Sequence, residues 1–205
     1  MEIRPRSVLH YALKMQNITP IRALGGGKSA DAALGEASGR LFVVRTTRAP
    51  PFDVKERFYT DTARRLLQSH QRIKNAMRDR IPRLFDTFVV RNTRGKPIGT
   101  ASVMEFVDGP TLADVLRRRS LTEKEETDLV RLLRFLWRSK HAHHDLTGGN
   151  VVWNKLRHKF QLIDLDMASR EASPNAARAK DLPMLQSALG DLPPRLIRHV
   201  AEMNL

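Results

Sequence analysis

The chain has 205 residues, of which 41% are hydrophobic and none is cysteine, and its formal net charge is +14. This length and hydrophobic content predict one domain or two small lobes and exclude global disorder, while the lack of cysteine excludes disulfides, thiolate chemistry and Cys-based zinc sites. No apolar run approaches the roughly 20 residues of a membrane span, and the start shows no signal-peptide pattern, so we expect a cytoplasmic protein.

The positive charge comes from 36 Lys+Arg against 22 Asp+Glu. A far smaller excess would provide solubility. A field of this sign attracts polyanions, namely nucleic acid, an anionic membrane face or a phosphorylated glycolipid. The charge therefore indicates the sign of the partner and not its identity.

Residues 1–20 are weakly patterned, and we predict an irregular lead-in there. A glycine-rich turn follows, in which the backbone N–H groups of Gly26 and Gly27 and the ammonium of Lys28 can bind phosphates. A Walker A loop would need glycine at position 22, where Arg22 stands. We therefore predict a phosphate-binding turn between two antiparallel strands, with a solvated turn that binds nothing as the alternative.

The next run, Leu41–Thr47, is rich in β-branched and aromatic residues and predicts a strand. In a kinase-like lobe this strand carries the lysine that pairs with the ATP phosphates. The cation here is Arg45, which can hold a phosphate bidentately but is not interchangeable with lysine. The alternative is an edge-strand arginine that faces water.

Asp53 and Glu56 form a capping-box pattern, which predicts a helix through about Asn75. In kinases the equivalent helix donates a glutamate to the strand lysine; here either Asp61 or Glu56 pairs with Arg45, or the ion pair is missing. The inner face is predicted to consist of Phe58, Thr62, Leu66 and Ile73. The outer face is basic, either solvated or the place where an acidic partner binds, and consists of Lys55, Arg57, Arg64, Arg65, Arg72, Lys74, Arg78 and Arg80.

Two further strands are predicted at 84–90 and 100–107, joined by a turn at 92–97. The second strand leads into a helix, as the hinge of a kinase does. In that reading Glu105 and Val107 present backbone groups to an adenine. An ordinary strand-to-helix turn is the alternative.

Two capping boxes predict the starts of the next helices, one at Thr111 with Asp114 and one at Thr122 with Glu125. The second helix is long, and its apolar residues form one wide core-facing stripe. That stripe consists of Leu129, Leu132, Leu133, Leu136 and Trp137.

The most informative stretch follows this helix. Asp145 and Asn150 are five residues apart, and Asp164 comes fourteen after Asn150, which is the spacing of the kinase loop H-R-D-x-x-x-x-N and its metal-binding aspartate. A hydroxyl nucleophile needs a carboxylate, here Asp145, to accept its proton. Mg²⁺ on ATP phosphates needs amide and carboxylate oxygens, here Asn150 and Asp164. Two β-rich runs, 150–153 and 160–163, predict a hairpin that joins these groups. The alternative is a polar turn and the end of a buried strand.

The three nearby histidines do not have a zinc-site spacing. We predict that His143, at the first position of the loop, supports the loop by hydrogen bonds. Residues 169–181 are small, polar and basic, and Pro194 opens a short terminal helix containing Leu196, Ile197 and Val200. About forty residues follow Asp164, which is too few for the large helical half of a protein kinase.

Together these motifs resemble the bacterial lipopolysaccharide core heptose(II) kinase family, a compact branch of the kinase-like fold. The likeness covers roughly residues 39–190, and its most particular part is the tail, with Ser169-Arg-Glu-Ala-Ser, Ala179-Lys-Asp-Leu, Leu185 and Gly190. The resemblance implies ATP- and Mg²⁺-dependent phosphorylation of a heptose hydroxyl of the inner core, at the cytosolic face of the inner membrane. It also implies roles for four residues: Asp145 as base, Asn150 and Asp164 as magnesium ligands, and Arg45 at the strand-lysine position.

The sequence thus predicts an α+β, two-lobed minimal protein-kinase-like fold. Residues 1–107 form an N-lobe with an antiparallel sheet and one long helix, and residues 108–205 form a small, mostly helical C-lobe. The expected partners are ATP, a phosphorylated acidic acceptor such as lipopolysaccharide core, and an anionic membrane face, with nucleic acid less favoured. Two alternatives stay open: a small atypical kinase or ATPase of tRNA modification, and a pseudokinase that binds an acidic partner.

Overall fold

The computed structural model describes residue 3 and residues 7–26, 30–47, 56–188 and 194–205. Five residues for which the sequence made a prediction lie outside these ranges: Gly27, Lys28, Asp53, Lys55 and Gly190. Within them the protein is of the α+β class, with six helices and nine strands. Every helix in these ranges is too short or too polar to cross a membrane.

The chain divides into two compact units. The first consists of Met1–Gln68 and Arg83–Phe106, and the second of Ser69–Pro82 and Val107–Leu205. The units change over at Phe106, close to the predicted boundary, but the second unit also takes residues 69–82. The reason is that Ile73, Met77 and Ile81 are buried in the second unit's core.

An antiparallel five-stranded sheet forms the first unit, in the order β1-β2-β3-β5-β4. Its strands are β1 (Thr19–Gly26), β2 (Ala30–Ala37), β3 (Arg40–Thr47), β4 (Leu84–Arg91) and β5 (Pro97–Glu105). The predicted strand around Arg45 is β3, and the predicted hairpin is β4–β5. The glycine-rich turn joins antiparallel strands, β1 and β2, as predicted.

The prediction of an irregular lead-in over residues 1–20 is wrong. Val8–Met15 forms a helix, α1, which packs on the sheet. Its N-terminus is capped by Ser7, whose hydroxyl oxygen accepts the backbone N–H of His10 at 3.1 Å. Leu9, Ala12 and Leu13 share one buried face. Three residues are too few to show a helical period in the sequence.

The long helix is α2 (Glu56–Met77), which extends two residues past the predicted end. The predicted inner face is wrong in the first half of the helix, since Phe58 is 49% exposed and Thr62 and Leu66 are only half-buried. Ile73 is buried as predicted. The other buried residues lie four or seven positions apart, the spacing of one helix face: Tyr59, Ala63, His70 and Met77.

Arg80 was assigned to the basic outer face, and this is wrong. A left-handed residue at Arg78 ends the helix, and a short 3₁₀ turn follows through Arg80. The Arg80 guanidinium then donates to both carboxylate oxygens of Asp128 at 2.8 Å, with both side chains largely buried. Asp128 also accepts the backbone N–H of Phe160 at 2.6 Å, so Arg80 is part of the second unit's interior.

The second unit contains helices α3 (Leu112–Arg118), α4 (Glu123–Arg138), α5 (Pro174–Ala188) and α6 (Pro194–Ala201). Its strands are β6 (His141–Ala142), β7 (Val151–Asn154), β8 (Lys159–Leu162) and β9 (Ser169–Arg170). β7 pairs with β8 as the predicted hairpin, and β6 pairs with β9. The terminal helix is present, and its Leu196 and Val200 are buried.

Both predicted capping boxes are present, at Thr111–Asp114 and at Thr122–Glu125. The predicted apolar stripe of α4 is fully buried from Leu129 to Trp137. Helix α5 was not predicted. Its buried stripe is narrow and interrupted by a carboxylate, because it consists of Ala177, Asp181 and Leu185.

The Glu125 carboxylate at the start of α4 predicts a pH dependence of stability. Arg119 donates to both of its oxygens at 2.7 Å, and this bond is the main reason why its pKa falls from 4.5 to about 2. Because the folded pKa is depressed, the stabilisation is complete above pH 4.5 and is lost as pH falls towards 2. We expect Glu125→Gln to lower the free energy of unfolding at pH 7 by about 2 kcal/mol, less than the full shift implies because Arg119 is half exposed.

Urea unfolding between pH 2 and 7 measures this. The wild-type curve should fall more steeply below pH 4.5 than that of Glu125→Gln. The exposed Glu123→Gln serves as control and should follow the wild type. Parallel curves for Glu125→Gln and wild type would contradict the assignment.

Gly109 predicts a packing effect. A methyl group at this position would overlap the backbone carbonyl oxygen of Trp153, because the segment before α3 runs against β7 and forms a bridge from Thr111 to Val152. We expect Gly109→Ala to lower the free energy of unfolding by about 2 kcal/mol. In Gly149→Ala the new methyl meets its nearest atom, the Thr147 hydroxyl, at 3.7 Å, so that variant should unfold within about 0.5 kcal/mol of wild type.

Candidate active site

The loop between β6 and β7 brings Asp145 and Asn150 into direct contact. The Asn150 side-chain amide donates to the Asp145 carbonyl at 2.8 Å and to its carboxylate oxygen Oδ2 at 2.9 Å. Since both partners can only accept, the nitrogen of the amide must face Asp145. Thr147 tightens the loop, because its N–H donates to the Asp145 carbonyl at 2.8 Å and its carbonyl accepts the Asn150 N–H at 3.0 Å.

The backbone places Asp164 next to Asn150. The N–H of Ile163, the residue before it, donates to the Asn150 carbonyl at 3.0 Å and so extends the β7–β8 pairing beyond Leu162. Asp164 itself adopts a left-handed conformation, with φ 60° and ψ 58°, and is half-buried. Asn150 precedes β7 and Asp164 follows β8, so the amide and the carboxylate belong to adjacent backbone segments at the open end of the hairpin.

The donor chemistry of these two residues fits Mg²⁺. The amide nitrogen of Asn150 is used by Asp145, so the other branch of the amide, Oδ1, is the one that can ligate a cation. With the Asp164 carboxylate it makes two protein oxygen ligands, which is usual for Mg²⁺ that is shared with substrate phosphates. Among the described residues no group of three or more histidine or acidic side chains forms a metal site.

His143 joins the loop to the strand that carries Asp164. It is fully buried, and its Nε2 lies 2.8 Å from the carbonyl oxygen of Ile163. A carbonyl only accepts, so Nε2 carries the hydrogen. This geometry agrees with the supporting role predicted for His143. Its Nδ1 is buried and has no hydrogen-bond partner in the described part of the chain.

Asp181 holds the loop from the other side and was missed from the sequence. This α5 carboxylate is fully buried and accepts the N–H of His143 at 2.9 and 3.0 Å, the N–H of His144 at 2.9 Å, and Nε1–H of Trp137 at 3.0 Å. The available signal was the Ala179-Lys-Asp-Leu run, in which an acid lies on the buried stripe. Such an acid is buried only when several donors satisfy it.

A second polar cluster lies beside Asp145. His144 Nε2 is 2.7 Å from the Ser169 hydroxyl and 3.1 Å from a Glu171 carboxylate oxygen, and the hydroxyl donates to the same oxygen at 2.7 Å. The hydroxyl, and after it His144, lower the pKa of Glu171. In a nucleophilic triad the serine donates to the histidine, and the acid binds the other ring nitrogen. Here serine and acid share one nitrogen, so the cluster is not a hydrolase site.

The remaining predicted site residues are distributed over both units. Gly26, Arg45 and Glu105 belong to the first unit and Val107 to the second, while Gly27 and Lys28 lie outside the described residues. Gly26 is the last residue of β1 and pairs with Asp31.

Arg45 lies between Ala32 and Ser102 on β3. The edge-strand alternative for Arg45 is therefore wrong, because β3 is the central strand. Two carboxylates were considered as its partner. Glu56 pairs with Arg91, and Asp61 lies 3.6 Å from Arg57 and 3.4 Å from Arg64.

The sequence matches no protein-family model, and comparison with curated proteins finds no similar sequence.

The Asp181 carboxylate predicts a large stability effect. Asp181→Ala removes the acceptor of three buried N–H groups and should lower the free energy of unfolding by about 4 kcal/mol. Asp181→Asn keeps Oδ1, which accepts both loop amides, and should lose about half as much. Chemical denaturation measures both, with Asp108→Ala, an exposed acid, as control. Equal losses in the two Asp181 variants would contradict the anchoring role.

Proposed function

We propose that the protein is an ATP- and Mg²⁺-dependent phosphotransferase with an alcohol group as acceptor. The observation that carries this proposal is the contact between Asp145 and Asn150, with Asp164 on the adjacent backbone. A base, an amide ligand and a carboxylate ligand within one loop and hairpin are the parts that phosphoryl transfer requires. The finer fold assignment belongs to the same proposal: a minimal protein-kinase-like fold with the first unit as N-lobe and the second as C-lobe.

In the proposed reaction the Asp145 carboxylate accepts the proton of the acceptor hydroxyl. The hydroxyl oxygen forms a bond to the γ-phosphorus of ATP, the bond from that phosphorus to the bridging oxygen breaks, and ADP leaves. The Asn150 amide holds Asp145 Oδ2, so the carboxylate has one fixed oxygen and one oxygen for the proton. This arrangement orients the base before the substrate binds.

Asn150 and Asp164 would hold the magnesium ion. When bound, the ion neutralises charge on the phosphates during transfer. A backbone hydrogen bond supports this role, because the carbonyl of Asn150 accepts the N–H of Ile163, the residue before Asp164. His143 contributes by donating its Nε2–H to the carbonyl of Ile163, which keeps the residue before Asp164 against the loop.

The proposed nucleotide contacts are the glycine-rich turn at Gly26, Gly27 and Lys28, the Arg45 guanidinium, and the backbone of Glu105 and Val107. The Glu105 N–H already donates to the Arg83 carbonyl at 2.8 Å. Contact of an adenine with this segment is therefore proposed for the Glu105 carbonyl and the Val107 amide.

The proposed acceptor is a heptose hydroxyl of the lipopolysaccharide inner core, with a cytoplasmic enzyme working at the inner face of the membrane. This part rests on the motif resemblance. The net charge of +14 agrees with an acceptor that carries phosphate groups. A tRNA acceptor would agree with the charge equally, so the experiment below includes both.

A specific observation favours a second candidate, a pseudokinase that binds an acidic partner. The strand-lysine position holds Arg45. Lysine and arginine are not equivalent at such a site. The pseudokinase would retain the loop for binding without transfer.

The test is a paired binding and transfer assay. We expect Mg²⁺-ATP to raise the unfolding temperature of the wild type and dephosphorylated core oligosaccharide to stimulate ADP release. Asp145→Asn should bind Mg²⁺-ATP as the wild type does but turn over about 1,000-fold more slowly, since it lacks the base. Asp164→Asn should lose the magnesium dependence of the thermal shift. Glu123→Gln, an exposed acid on α4, is the matched control.

Each other result identifies an alternative. ADP release stimulated by tRNA and not by oligosaccharide would reassign the acceptor and keep the phosphotransferase. Nucleotide binding without transfer in wild type, unchanged in Asp145→Asn, would leave the pseudokinase. No thermal shift with Mg²⁺-ATP would overturn both.

A further inference from the structure

The turn between β7 and β8 presents a leucine to solvent. Leu156 is 86% exposed, more than any other large hydrophobic side chain in the described ranges. The other three residues of the turn, Lys155, Arg157 and His158, are also exposed. The turn contains no acidic residue. The ammonium of Lys155 lies 4.0 Å from the carboxylate of the exposed Asp108, a distance and exposure at which water competes strongly with the ion pair.

The shape of this turn is fixed by buried polar side chains. Asn154 accepts the Arg157 N–H at 2.9 Å and donates to Gln161 at 2.7 Å, and both amide side chains are buried. Gln161 in turn donates to the Asp79 carbonyl at 2.6 Å, and the Lys155 N–H donates to the Asp108 carbonyl at 3.0 Å. A partner of this turn would therefore have little backbone entropy to remove on binding.

The fold gains almost nothing from leucine at this position. A single exposed leucine is ordinary on a protein surface, but tight turns favour glycine, asparagine, aspartate, serine and proline. Here the leucine lies at the tip of a rigid turn with a cation on either side. This combination is what an interfacial anchor needs, because the apolar tip enters the acyl boundary while cations meet lipid phosphates.

We propose that the turn Lys155–His158 binds the surface of a bilayer that contains anionic phospholipid. A bilayer uses both features of the turn, the leucine and the cations. Single-stranded nucleic acid would use the cations and could stack a base on His158, but it would leave the apolar Leu156 side chain without a partner. The proposal does not depend on phosphoryl transfer.

The position of the turn is compatible with a functioning site. β7 and β8 have four residues each, so their length places the turn about 13 Å along the hairpin from Asn150. Lipid contact at the turn would thus leave Asn150 and the loop before it outside the bilayer.

Vesicle co-sedimentation tests the proposal with the full chain. We expect binding to vesicles of equimolar phosphatidylglycerol and phosphatidylcholine, weakened by salt, and none to phosphatidylcholine alone. Leu156→Ser should weaken binding about tenfold, because it removes the inserted side chain. The double variant Lys155→Gln with Arg157→Gln should weaken it about 20-fold.

Two control variants isolate the turn from general properties of the surface. Met167→Ser removes another exposed apolar side chain, 66% exposed, and Arg64→Gln with Arg65→Gln removes two charges from the basic face of α2. Both should bind as the wild type does. Thermal unfolding of all variants should match the wild type, since these side chains are on the surface.

Three results would overturn the proposal. The first is no binding of wild type to the anionic vesicles. The second is vesicle binding that is unchanged in Leu156→Ser, or that is weakened equally by the two double variants that remove charge, at Lys155 and Arg157 and at Arg64 and Arg65. Either result would mean that binding depends on net charge alone. The third is binding to a single-stranded oligonucleotide with no binding to vesicles. In that case the double variant Lys155→Gln with Arg157→Gln would lose oligonucleotide binding and Leu156→Ser would keep it.

Discussion

The buried carboxylate of Asp181 is the interaction on which the candidate site depends. It fixes the backbone at His143 and His144, and His143 fixes the Ile163 carbonyl. The N–H of Ile163 then binds Asn150, whose amide holds Asp145. Each step is a hydrogen bond between buried or half-buried groups, where a lost partner is costly and the geometry is correspondingly well defined.

The same device recurs in the second unit, where buried acids are placed at the junctions of elements. Glu125 holds the start of α4 to Arg119, and Asp128 holds β8 and the turn after α2 through Phe160 and Arg80. Each carboxylate accepts several donors, which is the condition for burying a charge. Apolar packing supplies the core between these points, and the acids set which elements meet.

Sequence patterns predicted the features that a single helix or hairpin encodes locally. The two capping boxes, the apolar stripe of α4 and both hairpins needed only neighbours along the chain. The predictions that were wrong or absent have two causes. Partners far away in the sequence, such as Asp128 and Trp137, determine the positions of Arg80, Asp181 and the buried face of α2. The buried stripes of α1 and α5 are too narrow to show a clear period in the sequence. Within the site, spacing predicted the Asp145–Asn150 loop, and no local pattern showed what anchors it.

Two residues next to or within the site, His144 and Asp164, adopt left-handed backbone conformations. Such positions tolerate asparagine, aspartate, histidine and glycine and resist β-branched residues. The main-chain conformation and the proposed role as a magnesium ligand therefore require an overlapping set of amino acids at position 164. Substitutions at this position are therefore limited by their effect on folding as well as by any loss of the proposed magnesium ligand. Asparagine, aspartate, histidine or glycine would consequently be retained at these two positions even in a related chain without the proposed activity.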